Sequence, residues 1–182
     1  MKLIQKFAAL LALSAGLGAC AGGSVISRIE QNNTYLPTEV ASAVQNGVLP
    51  AAFFGTAPAG TTHEALAARV SAPGWLGGVH LGTNAPRGYR LVLVFNPLAP
   101  VEADTLCTAP QDVPVRAAGG DFAIQGAWCF WDRAASRGYL TTASPGGTSD
   151  GGLEATVGKL IAVLLPPKSM QSDLSSKGDY PL

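Results

Sequence analysis

The sequence predicts an α+β domain, a small antiparallel sheet with helices packed mainly on one face. Three observations carry this. Leu91-Val92-Leu93-Val94-Phe95 is an unbroken apolar run of strand length, the pattern of a strand buried on both faces. Phe122 to Trp131 is a second strand-like run, rich in aromatic residues, which suit a pleated surface. Leu153, Val157, Leu160, Ile161 and Leu164 recur at i, i+4, i+7, i+8 and i+11, one face of an amphipathic helix. Helical signals come first, strands follow and a helix closes the chain, which suits segregated layers better than alternating β and α units.

Taken in order, residues 20–33 are small and polar and read as a tether. A domain over residues 34–167 follows, then a polar, aperiodic and disordered tail over 168–182. Val40, Ala41 and Val44 suggest a short helix opened by Thr38 and stopped by Asn46-Gly47. Thr61-Thr62-His63-Glu64 has capping-box spacing, with Thr61 as cap and Glu64 reaching back, and the helix ends before Pro73. Pro97 ends the strand that starts at Arg90. Val113-Pro114-Val115 suggests a short edge strand, and Ala118-Gly119-Gly120-Asp121 a turn before the aromatic strand. Tyr139-Leu140-Thr141-Thr142 suggests a further strand, and residues 144–152 a glycine- and serine-rich loop. Asp150 is a candidate cap for the last helix, and Pro166-Pro167 stops it. On that helix Leu160 and Ile161 should be buried, and Glu154 and Lys159 exposed.

The N-terminus carries the clearest functional signal. Lys2 and Lys6 precede the short apolar run Phe7-Ala8-Ala9-Leu10-Leu11-Ala12-Leu13 and a small-residue exit at Leu17-Gly18-Ala19-Cys20. This is the layout of a secretory signal peptide over residues 1–19, and the run is too short to span a membrane. Cleavage after Ala19 leaves Cys20 at the mature terminus; cleavage after Ala21 also fits the small-x-small rule. Leu17-Gly18-Ala19-Cys20 resembles the lipobox of bacterial lipoproteins. That resemblance implies acylation of Cys20, including palmitate, with the membrane as partner through a multiply acylated terminus. Ala21 after Cys20 implies, by the same resemblance, transfer to the outer membrane, facing the periplasm.

The chain has 182 residues with twelve basic and twelve acidic side chains. Cleavage removes two lysines, leaving ten basic residues against twelve acidic ones and a formal charge of −2. No basic stripe is present, so nucleic acid is not an expected partner. Cys107 and Cys129 are the other thiols of three in all. Export puts them in an oxidising compartment, where a disulfide is the expected state. Such a bridge stabilises by about 3 kcal/mol on the loop-entropy model. No Cys-x-x-Cys occurs and no histidine stands near them, so zinc is not expected.

Candidate chemistry is sparse. His63-Glu64 begins a zinc-helix pattern, but no second histidine follows, and His63 reads as a surface or cap residue. His80 has no nameable acid–base partner, and no Gly-x-Ser-x-Gly elbow exists. Gly152 to Lys159 fails phosphate-loop spacing, and Asp150-Gly151-Gly152 lacks the other acidic positions of a calcium loop. No catalytic residue, metal ligand or cofactor is therefore assigned. In the aromatic strand, alternation puts Trp128 and Phe130 on one face, and Cys129 and Trp131 on the other. The favoured reading packs Trp131 on the disulfide or a loop, with a local ion pair among Asp132, Arg133 and Arg137; a possible interaction edge formed by Trp131, Arg133 and Arg137 is the alternative.

Tyr89-Arg90-Leu91-Val92-Leu93-Val94-Phe95-Asn96-Pro97, Leu106-Cys107, Cys129 ahead of Asp132-Arg133, and the ending Leu164-Leu165-Pro166-Pro167 resemble a group of uncharacterised alphaproteobacterial lipoproteins. The resemblance covers less than half of the chain and brings no known activity. The expected function is a non-catalytic, lipid-anchored envelope protein that binds a protein or an envelope component in the periplasm. Two alternatives stand beside it: a small periplasmic enzyme acting on cell-wall or lipid material, and an accessory subunit of an envelope assembly or transporter.

Overall fold

The protein is seen in a computed structural model that describes residues 23–57, 61–117, 121–142 and 152–169. The expected signal peptide, Cys20, Ala118, Gly119 and Gly120 of the expected turn, the expected loop over residues 144–152 except its last residue, with Asp150, and most of the expected tail lie outside the described residues. Among the described residues there are seven strands, β1 (Val25–Gln31), β2 (Val48–Leu49), β3 (Ala51–Gly55), β4 (His80–Leu81), β5 (Tyr89–Phe95), β6 (Phe122–Phe130) and β7 (Arg133–Thr142). The helices are α1 (Pro37–Ala43), α2 (His63–Arg69), α3 (Ala103–Thr108) and α4 (Gly152–Leu164).

The main sheet has the order β1-β7-β6-β5-β3, and β2 pairs with β4 in a separate two-stranded sheet. Three of its pairings are antiparallel, but β3 and β5 run parallel. The sheet is mixed rather than purely antiparallel because the chain between β3 and β5 carries α2 and β4, the kind of long crossover that a parallel pair requires. A further difference lies at the start. Residues 25–31, expected in a tether, form edge strand β1, with a register shift between Ser27 and Glu30. Arg28 there has φ of +52°. An edge strand pairs on one side only, so it needs no clean hydrophobic alternation to be held.

Central strand β5 is buried on both faces, as its unbroken apolar run requires. Leu91, Leu93 and Phe95 join one core cluster with Ile124, Trp128 and Leu140. Val40 of α1, Leu66 of α2, and Val157, Leu160 and Ile161 of α4 belong to the same cluster. Val92 and Val94 join a second cluster with Ala127, Cys129, Ala134, and Leu106 and Cys107 of α3. Helix α3 has no strong sequence signal: it is six residues long and buries only Leu106 and Cys107. A covalent link adds to its packing on the sheet. Cys107 and Cys129 are bonded, with a Cα–Cα distance of 5.5 Å, inside the range a bridge allows.

Several local expectations shift by a residue or two. The cap of α2 is Thr62, which accepts from the Ala65 N–H at 3.1 Å. Thr61 instead accepts from Arg69 Nη2. Helix α1 starts with Pro37 and ends at Ala43, before Asn46-Gly47. That dipeptide makes a tight loop: Gln45 and Val48 exchange both backbone bonds, and Asn46 and Gly47 have φ of +51° and +76°. This is the positive-φ pair of a type I′ hairpin turn. The Val113–Val115 stretch makes only an isolated bridge, Val115 with Pro97, since Pro114 has no N–H to extend a ladder.

Helix α4 presents its apolar stripe as its spacing requires. Val157, Leu160, Ile161 and Leu164 are buried and Lys159 is exposed. Glu154 is half-buried rather than exposed, because Arg69 of α2 pairs with it at 3.0 Å. The helix can sit close because Gly126 and Gly138 face each other across β6 and β7. A Cβ on Gly126 would stand 2.6 Å from Leu164 Cδ1, and one on Gly138 would stand 3.1 Å from Leu160 Cδ1. Truncating Leu160 leaves a void over this notch, so Leu160→Ala should cost about 2–5 kcal/mol. Denaturant titration checks this; an unchanged midpoint would place Leu160 outside the core.

Candidate functional site

The hairpin joining β6 to β7 is the most unusual exposed feature of the molecule. Phe130 pairs with Arg133, so Trp131 and Asp132 form a two-residue loop. Trp131 has φ of +55° and is 58% exposed. A bulky side chain at positive φ is an outlier, and the first position of such a loop otherwise favours glycine. The aromatic strand therefore ends at Phe130, and Trp131 is not enclosed against the disulfide.

Tertiary bonds tie this loop to the segment before β5. The Trp131 N–H donates to the Gly88 carbonyl at 3.2 Å. Asp132 pairs with Arg87 at 3.5 Å, not with Arg133 or Arg137 as a local ion pair would have it. Tyr89 lies opposite Phe130 in the β5–β6 register, with ring centroids 4.8 Å apart, and its other neighbour Trp128 is at 6.3 Å. This makes an aromatic ladder from buried Trp128 to Phe130, which is 39% exposed. Burial raises the Tyr89 phenol pKa, and the Glu39 carboxylate beside it raises it further.

Beside the ladder lies a groove of about 650 Å³, a common size for a ligand cleft. Ser42, Gln45 and Asn46 line one side, with Val48 and Pro50; Pro86, Arg87, Gly88 and Tyr89 line the other. Its cation, Arg87, is already paired with Asp132. The sequence contains each of these residues without marking them. Tyr89 meets Phe130 only through strand register, and the one local signal was the turn-forming Asn46-Gly47.

The possible interaction residues divide between two places. Trp131 and the exposed Arg133 stand at the hairpin. Arg137 lies in a smaller cleft of about 350 Å³ with Glu30, Asn32, Glu102 and Asp104. Its guanidinium bonds the Glu30 carboxylate and approaches Glu102 at 3.5 Å. It therefore joins β1 to the segment before α3. Asp104 Oδ1 accepts from the Ala134 N–H at 2.8 Å and is likewise committed.

Neither histidine sits in a catalytic arrangement within the described residues. His63 stacks on Phe95 at 5.3 Å and meets Phe53 edge-on at 5.9 Å. Burial lowers its pKa, with Glu64 acting in the opposite sense. His80 is exposed on β4. Among the described residues, no three His, Cys, Asp or Glu side chains converge as a metal site, and no helix is long and apolar enough to cross a membrane. No protein-family model matches the chain, and neither does any curated protein or solved structure.

The Glu30–Arg137 contact gives the fold an acid-sensitive edge. The hydrogen bond from Arg137 is the main cause of a lowered Glu30 pKa, and Coulombic attraction adds to it. A depressed folded-state pKa contributes stability that is present above the unfolded value and is lost as pH falls through the folded one. Glu30→Gln should therefore shallow the loss of stability in acid while leaving stability near neutral pH only slightly lower. Thermal midpoints measured from neutral pH into the acid range check this; parallel profiles for the two proteins would remove Glu30 from the acid response.

Proposed function

We propose that the chain is a non-catalytic, lipid-anchored envelope protein whose domain binds a protein or an envelope component on the periplasmic side of the outer membrane. Cys20 is its acylated terminus and the membrane its permanent partner. The N-terminal pattern supports the anchor, and Trp131 supports the binding role. A glycine at this loop position would relieve backbone strain, and a polar residue would avoid exposing an aromatic ring. A tryptophan there suits a surface that presents the ring to a partner. Helices α1, α2 and α4 serve as the cover of one sheet face, with the short α3 on the other. That arrangement leaves the hairpin end free as the working edge.

Two experiments test this. Cys20→Ser should abolish incorporation of labelled fatty acid and release the protein from membranes; unchanged labelling would refute the anchor. Trp131→Gly should raise stability by up to about 1 kcal/mol, because glycine accepts a left-handed backbone without steric cost. The same change should lose the partner recovered by crosslinking in intact envelopes. A variant that is less stable yet keeps its partner would assign Trp131 to the scaffold instead.

A further inference from the structure

We propose that the groove beside the aromatic ladder takes the uncharged sugar face of a glycan strand. This rests on the reading of the hairpin end as the binding edge and names what that edge would hold.

The chemistry of the lining points this way. A sugar ring has apolar C–H faces and a rim of hydroxyls that both donate and accept hydrogen bonds. The groove offers both complements. Tyr89 lines it, and the partly exposed ring of Phe130 lies beside Tyr89, tilted by 30° at 4.8 Å; an aromatic ring at the groove wall is the kind of surface that packs on such a face. Gln45 and Asn46 supply primary amides, each carrying donors and an acceptor, and neither has a side-chain partner among the described residues. Asp132 pairs with Arg87 at 3.5 Å and the Glu39 carboxylate stands beside Tyr89, so the groove does not favour an anion. A polyproline-type peptide fits less well: it offers carbonyl acceptors but lacks the donors that would satisfy the amide oxygens.

The topology also argues against a membrane surface as the occupant. Val25 pairs with Thr141 near the far end of β7, whereas the hairpin opens at Arg133. Along an extended strand these positions are about 25 Å apart. Cys20 precedes Val25 by five residues, a reach of at most about 18 Å. An acylated Cys20 therefore attaches near the entry end of the sheet and cannot lie beside the groove.

The test uses the full mature, acylated protein in detergent micelles. It is titrated with a tetramer of β-1,4-linked N-acetylglucosamine and followed by tryptophan fluorescence. Saturable binding that does not weaken at high salt is expected. Phe130→Ala and Gln45→Ala should each weaken it by about tenfold, with thermal midpoints confirming that both variants fold. Binding that these variants leave intact would place the sugar elsewhere and overturn the assignment. A proline-rich peptide, or vesicles of phosphatidylethanolamine and phosphatidylglycerol, binding where the tetramer does not would overturn it in favour of a peptide or a lipid surface. No binding of the tetramer, with the crosslinked partner still lost in Trp131→Gly, would sink the glycan and leave the binding edge standing. Loss of neither would sink both.

Discussion

The end of the last helix is where the fold is gripped. Helix α4 runs into Pro166-Pro167, so its final carbonyls cannot be satisfied by further helical turns. Three side chains from distant parts of the chain donate to consecutive carbonyls there. Ser136 Oγ reaches Leu164 at 2.6 Å, Trp75 Nε1 reaches Leu165 at 2.9 Å, and the Tyr35 hydroxyl reaches Pro166 at 2.7 Å. Each is worth about 0.5–1.5 kcal/mol net, and leaving such a carbonyl buried and unpaired costs more. Tyr35 is fully buried, and burial raises its pKa, so the phenol stays a donor. These donors come from the β1–α1 connection, the crossover before β4, and β7. Seating α4 in the Gly126–Gly138 notch therefore also fixes the segments that lead to the groove.

The opposite face is held by different means. Helix α3 is too short to bury much apolar surface, and the disulfide supplies what packing does not. Two arginines complete the attachment. Arg90 donates to the Cys107 carbonyl and Arg87 to the Thr108 carbonyl, each at 3.0 Å, at the C-terminal end of α3 where a cation is favourable. Arg90 is only 6% exposed and its Nε has no partner. Burial, with Arg87 nearby, lowers its pKa. Arg87 has a third role, since it also pairs with Asp132 of the hairpin. One side chain thus connects the disulfide-bearing helix, the groove wall and the loop that exposes Trp131.

In the proposed reading, this layout separates the scaffold from the binding edge. The two glycines, the gripped helix end and the disulfide act on the middle and the two faces of the sheet. The exposed aromatic rings Phe130 and Trp131 lie at the hairpin end, where Trp131 also has a positive φ. Stability and recognition can then change independently, which is why substitution at Trp131 is expected to move them in opposite directions.

Much of the scaffold was legible in the chain itself. The apolar run of β5, the spacing of Leu160 and Ile161 in α4, and the pairing of Cys107 with Cys129 all follow from burial periodicity and thiol inventory. Such patterns report which face of an element a residue occupies. They do not report which element lies opposite, because register and crossover depend on contacts distant in sequence. For that reason only the tertiary structure decided that β3 and β5 run parallel, that residues 25–31 close the sheet rather than tether it, and that Glu154 is shielded by Arg69. It also decided the partners of Asp132 and Arg137, which are Arg87, Glu30 and Glu102 rather than near neighbours. The groove belongs to this second class. Tyr89 and Phe130 are 41 positions apart in the chain and become one surface only when β5 and β6 pair.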